Sequence, residues 1–237
     1  MIEWEDYKED CCVVVPVYKQ NPVFFEQASL MQCVRVLGQK YDIYLVAPFG
    51  LDLSAYKSLC PNYKFREKRF AKGFFEGIDG YNHLCKRWEF YSSFQDYQYM
   101  LIYQLDCWVF SDNVEYFISL NYDYIGAPWV EIDTQENTAK SVKCGNGGFS
   151  LRRLDKFIEV AKKHETETDD PSTAEDVFFC KKCESELNIS PVEVGREFSF
   201  EVGPSLFFKL NNNKLPMGCH KPYLFEFNTF WKDYIKF

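Results

Sequence analysis

Between residues 11 and 18 the chain reads CCVVVPVY, apolar at nearly every position rather than at every second one. That pattern belongs to a strand buried on both faces, as in a parallel sheet, and it predicts the first strand. The next stretch, NPVFFEQASLMQCVRVLGQ, spaces its apolar residues at helical intervals, with Asn21 placed to cap, Pro22 just after it and Gly38 near the end. YDIYLVAP then predicts a second strand closed by Pro48. Strand, helix and strand within about 35 residues make a βαβ unit, whose right-handed crossover sets the two strands parallel.

Farther along, residues 81 to 96 suit a helix, and YQYMLIYQLDCWVF suits a central strand that ends in polar chemistry near Asp106. Ligands of open α/β sheets collect beyond the carboxyl ends of the strands, which makes Asp106 the position to watch. A short strand (YDYIGAPWV), a polar insertion (EIDTQENTAKSVK) and a glycine-rich turn (CGNGGFSLRR) follow. Then come a helix through DKFIEVAKKH, an acidic loop (ETETDDPST) and a helix over AEDVFFCKKCESE. The insertion and the acidic loop are expected to be exposed and mobile. No repeat or linker divides the chain, so residues 1–237 are expected to form one α/β domain with its core over about 11–235.

Composition narrows the function classes. With 46% apolar and 26% charged residues the chain can bury a sizeable core, and its 19% aromatic content points to rings in that core and in any cleft. A net charge of -8, with no basic stripe, excludes a nucleic-acid partner but not a small phosphorylated ligand. The acidic start, MIEWEDYKEDCC, is no export signal and no apolar run is long enough to span a bilayer. A cytoplasmic protein with peripheral membrane contact at most is expected. Its ten cysteines then read as reduced thiols, and the lone Cys180–Cys183 spacing lacks the further ligands of a zinc site.

The segments LIYQLDCWVF, YDYIGAPW, GNGGFSLR, EDVFF and PMGCH occur in this order. With them the chain resembles an uncharacterised bacterial family assigned to sugar transfer, with the A-type (GT-A-like) glycosyltransferase fold. The resemblance implies a mostly parallel central sheet flanked by helices, a nucleotide-sugar donor, with a uridine diphosphate sugar foremost, and a glycan or lipid-linked acceptor. Surface-polysaccharide or lipopolysaccharide synthesis is the context it implies.

The same resemblance assigns roles. The loop after the first strand, with Pro16, Tyr18 and Lys19, would hold the base and ribose; the alternative is a plain strand terminus. Asp106 would be the first carboxylate of an aspartate pair that anchors Mn2+ or Mg2+ under the donor diphosphate. Trp108 stands at the second position and offers no oxygen, which counts against a metal and leaves Asp106 and His220 as its ligands. His220 and Lys221 would reach back to the diphosphate. In the acidic pair Glu175–Asp176, Asp176 would deprotonate the acceptor, although carboxylates also favour a helix start through its dipole.

Four further groups follow from the residues themselves. Asn146, Gly147 and Gly148 form a turn where backbone can approach a sugar closely. Asn82 and Lys86, four apart on one helix face, can both point into the cleft or into solvent. Arg152 and Arg153 are expected to open a helix, facing phosphate or surface carboxylates. Trp129 and Trp231 serve as core or as an acceptor platform. Two other readings compete: a nucleotidyltransferase, which PVYKQNP disfavours because it has no glycine for a phosphate loop, and a non-catalytic nucleotide- or sugar-binding module.

Overall fold

The computed structural model describes residues 9–133, 138–168 and 173–236. The first strand, β1 (Glu9–Pro16), pairs in parallel with β2 (Asp42–Pro48) on one side and β4 (Tyr97–Tyr103) on the other. Being central explains its unbroken apolar run: Val13 and Val15 enter one core while Cys12 and Val14 enter the other. Helix α1 (Phe24–Leu37) joins β1 to β2 and covers the first of these cores through Leu30, Cys33 and Leu37. Its cap is Val23 rather than Asn21, and the Glu26 carboxylate closes the turn by accepting the Val23 backbone N–H at 2.8 Å.

After α2 (Ser54–Leu59), β3 (Arg66–Phe70) adds a parallel edge strand. The helix expected over 81 to 96 is two helices, α3 (Gly77–Lys86) and α4 (Trp88–Ser92), separated at Arg87, which is extended. The break frees the Cys85 carbonyl from the helix ladder, and the buried Tyr91 hydroxyl donates to it.

The strand expected over 97 to 110 also divides. β4 ends at Tyr103, the chain turns through residues 104–106, and β5 (Cys107–Val109) leaves for a second, three-stranded sheet. After α5 (Val114–Ser119) and β6 (Tyr124–Gly126), the expected polar insertion is a hairpin, β7 (Pro128–Asp133) against β8 (Thr138–Cys144); its tip lies outside the described residues. β9 (Phe149–Arg153) runs antiparallel to both β4 and β6, which completes a six-stranded sheet of order β3-β2-β1-β4-β9-β6. Arg152 and Arg153 therefore end a strand instead of opening a helix.

On the second core's side lie α3, α4 and α6 (Leu154–Lys163). The stretch expected to be an acidic loop begins as α7 (Glu165–Thr168), and 169–172 lie outside the described residues. The helix expected over AEDVFFCKKCESE is one turn, α8 (Glu175–Val177), followed by a π turn (Phe178–Lys182) closed by Cys183 N–H on the Phe178 carbonyl at 3.0 Å. The wider turn lets consecutive Phe178 and Phe179 both be buried. Then α9 (Val192–Phe198), β10 (Ser199–Phe200), α10 (Pro204–Leu210) and β11 (Gly218–His220) follow. β11 lies between β10 and β5, over a third apolar cluster built on Trp108, Phe200 and Trp231. All ten cysteines are unpaired. Among the described residues no helix is long and apolar enough to cross a membrane.

Candidate functional site

A cleft of about 600 Å3 opens beyond the carboxyl ends of β1 and β4. Pro16 and Tyr18 enter it from the end of β1, Asn82 from α3, and Asp106 from the turn after β4. The turn before β9 adds Asn146, Gly147 and Gly148; α8 adds Glu175 and Asp176; the end of β11 adds His220 and Lys221. Residues scattered over two hundred positions thus meet where β1 and β4 end, the antiparallel β9 begins and β11 of the second sheet ends, with α3 and α8 alongside.

Two expected members do not line the cleft. Lys19 is held by Glu26, ammonium to carboxylate at 2.8 Å. Lys86 is fully buried and donates to the Thr173 carbonyl at 3.1 Å, with the Phe178 ring 5.8 Å away. Asn82 and Lys86 do share a helix face, but that face packs against α8: the Asn82 side-chain carbonyl accepts the Glu175 N–H at 3.3 Å. The two tryptophans, expected as core or as an acceptor platform, do not line the cleft: Trp231 is core and Trp129 is half-buried against the second core. Trp231 is buried and stacks on Phe110 at 5.6 Å, and Trp129 packs over Gly145 beneath Lys181.

On the cleft floor His220 Nε2 lies 3.2 Å from Asp106 Oδ1 and 3.1 Å from Gln104 Oε1, while Nδ1 lies 3.1 Å from Glu201 Oε1. The register of β11 on β5 sets His220 opposite Cys107, hence beside Asp106. Gln104, two residues earlier, and not position 108, shares His220 Nε2 with Asp106. Trp108 alternates to the other face of β5 and packs in the third cluster. Burial alone would raise the Asp106 carboxyl, but the hydrogen bond and charge of His220 and the charge of Lys221 outweigh it and hold it below its ordinary range. Burial would likewise lower His220; the two carboxylates outweigh it and raise the imidazole.

When His220 is protonated its own charge balances the carboxylates, and Nε2 can donate to Gln104; when it is neutral, Nε2 offers a lone pair beside two oxygen donors. In that neutral form a hard divalent ion fits: adjacent ligands of an octahedral ion with bonds of about 2.1 Å stand about 3 Å apart, as His220 does from Gln104 and from Asp106. Cys107 lies nearby, yet its thiol donates to the Gly148 carbonyl at 3.2 Å and burial pushes its pKa well up, so it does not join a hard-ion set.

The acidic pair divides by environment. Glu175 is buried and forks onto fully buried Arg152, with both contacts at 2.9 Å. Arg152 also donates to the Tyr91 hydroxyl at 2.9 Å and to the Gly147 carbonyl at 3.3 Å. Arg152 thus faces a carboxylate inside the protein, neither a phosphate nor the surface. Asp176 is only partly covered, and burial together with the charge of Glu175 pushes its carboxyl up to about 6. The two glycines are required sterically: a Cβ on Gly147 would stand 1.8 Å from Glu175 Oε1, and one on Gly148 would stand 2.2 Å from His220 Nε2.

Sequence reasoning missed Gln104 and Glu201. A polar side chain two positions before Asp106 was a visible signal for the first; nothing local marks the second. It also missed an apolar wall of Phe74, Phe75 and Ile78 on the cleft, carried by the turn Lys72–Phe75 and the start of α3.

This arrangement of sheet and cleft is the A-type glycosyltransferase fold. The galactosyltransferase LgtC, solved with donor and acceptor sugar analogues, matches with a TM-score of 0.56 at 12% identity, over 88% of this chain and 86% of that one. Mouse xyloside xylosyltransferase 1 matches at 0.53 and 10%, over 90% and 97%. The bifunctional glycosyltransferase WbbM matches at 0.52 and 12%, over 90% of this chain and 46% of its own. At these identities the likeness concerns the fold. By sequence, the chain belongs to the family described as "Protein of unknown function (DUF5672)", whose model matches residues 64–220. No curated protein matches it.

Proposed function

We propose that the chain transfers a sugar from a nucleotide-diphosphate donor to an acceptor hydroxyl. The observation that carries this reading is the meeting, in one cleft, of a hard-cation ligand set and a carboxylate of raised pKa on a different element, Asp176. Gln104, Asp106 and His220 would hold Mn2+ or Mg2+, which when bound supplies Lewis-acid neutralisation of the leaving diphosphate. Lys221 adds a cation at the same end of the cleft, and the exposed Tyr18 ring offers a stacking surface for the base.

Asp176 takes the proton of the acceptor hydroxyl as that oxygen attacks the anomeric carbon. The bond from this carbon to the phosphate oxygen breaks, and the nucleoside diphosphate leaves with the electron pair. Glu175 is committed to Arg152 through both oxygens and does not act as a nucleophile, which supports direct displacement with inversion. The Phe74, Phe75 and Ile78 wall suits the apolar face of a sugar ring. A uridine diphosphate sugar is the first donor to test, with glycan or lipid-linked acceptors.

Thermal-shift titration against a panel of nucleotides and nucleotide sugars, with and without Mn2+, tests the reading. A nucleoside diphosphate sugar is expected to stabilise the parent and to do so much less in Asp106→Ala. If no nucleotide stabilises the parent, or the variant binds as well, the donor site is misplaced.

A further inference from the structure

Glu201 lies behind the His220 ring, outside the cleft. It follows β10, and the parallel register of β10 on β11, Ser199 opposite Gly218 and Phe200 opposite Cys219, brings the next residue beside His220. One oxygen, Oε1, is 3.1 Å from His220 Nδ1, and the other accepts from the Asn146 side-chain amide. The Lys221 ammonium stands 3.7 Å from Oε1 as well, so the carboxylate is held from three directions, and little of it is exposed. On the cleft side the ring meets Gly148, where there is no side chain to displace it.

We propose that Glu201 is a positioning residue for the cation site. Its carboxylate, 3.1 Å from Nδ1, favours the tautomer protonated there, which leaves the Nε2 lone pair on the side of the Gln104 and Asp106 oxygens, and its charge makes the imidazole a stronger ligand. A carboxylate behind a metal-binding histidine acts in this way, and its loss typically weakens metal binding by about 10–100-fold. Asn146 extends the arrangement, since its amide ties Glu201 to the glycine turn before β9. The inference rests on the reading that Gln104, Asp106 and His220 hold a divalent ion.

Mn2+ binding to the full chain, followed by the electron paramagnetic resonance of free Mn2+, tests it without any substrate. Glu201→Gln keeps the size and removes the charge; Glu201→Asp keeps the charge and is too short to reach the ring. Both are expected to bind Mn2+ about 10–100-fold more weakly than the parent while their unfolding midpoints without metal stay near the parental value. If the parent binds Mn2+ and both variants bind it equally well, the positioning role is overturned and the cation site stands. If affinity falls only in step with a collapsed unfolding midpoint, Glu201 is structural and the inference also fails. A parent that binds no Mn2+ removes the cation reading and this inference with it.

Discussion

Glu175 and Asp176 are adjacent carboxylates in one turn of helix, yet their surroundings give them opposite chemistry. Glu175 is locked by Arg152. Asp176, raised to about 6, is a base near neutrality. Asp176→Asn is expected to lower turnover by roughly 10²-fold or more with donor affinity nearly unchanged, in steady-state kinetics set beside donor titration. Because the carboxyl must be ionised to accept a proton, parental kcat should rise with pH through about 6 and this limb should vanish in the variant. For Glu175→Gln the expected loss is of stability: it leaves the Arg152 guanidinium buried without a counter-charge, a defect that costs about 3–5 kcal/mol in a urea titration. An inactive but fully stable Glu175→Gln protein would instead make Glu175 the base.

Elements join at charged clusters that the linear pattern does not announce. His164, at the end of α6, makes Nδ1 and Nε2 contacts of 2.9 Å to Glu167 on α7 and 2.6 Å to Glu186. The Glu167 and Glu186 hydrogen bonds raise the imidazole above its ordinary value of about 6.5. Protonated His164 therefore stabilises the fold fully below that value, and the contribution fades as pH rises through the raised one. His164→Gln should lower the urea midpoint clearly at about pH 6 and barely at about pH 9. Equal losses at both would mean that packing, not charge, is what the ring supplies. In the same region the one helix expected over AEDVFFCKKCESE becomes a single turn and a π turn, since tertiary packing of two neighbouring phenylalanines overrides helical regularity.

At the scale of the molecule, two cores sandwich the six-stranded sheet, and a third cluster supports the small sheet that carries His220 and Glu201. Trp231 is the largest fully buried side chain of that cluster. Trp231→Ala should cost about 3–5 kcal/mol of stability by urea unfolding. Because the cluster sits under β5 and β11, nucleotide affinity should fall as well, even though Trp231 does not line the cleft. Unchanged affinity in a destabilised variant would separate the small sheet from the site.

The amino-acid sequence by itself determined β1, α1 and β2, because buried parallel strands and amphipathic helices write their periods into the chain; it also marked Asp106 and Asp176, which end or begin such elements. The splitting of residues 97 to 110 into β4 and β5 was decided by tertiary structure. Continuous apolar character cannot tell one long strand from two that serve different sheets, and only the split shows Trp108 turned into the third cluster while Gln104 stands at His220. Arg152 and Glu175 are far apart in sequence and form an ion pair only once β9 and α8 close on each other, and Lys86 exchanged the cleft for a carbonyl on the segment packed against its helix. Glu201 carries no local signature at all: its place behind His220 comes from the register of β10 on β11, which is a relation between strands rather than a property of either.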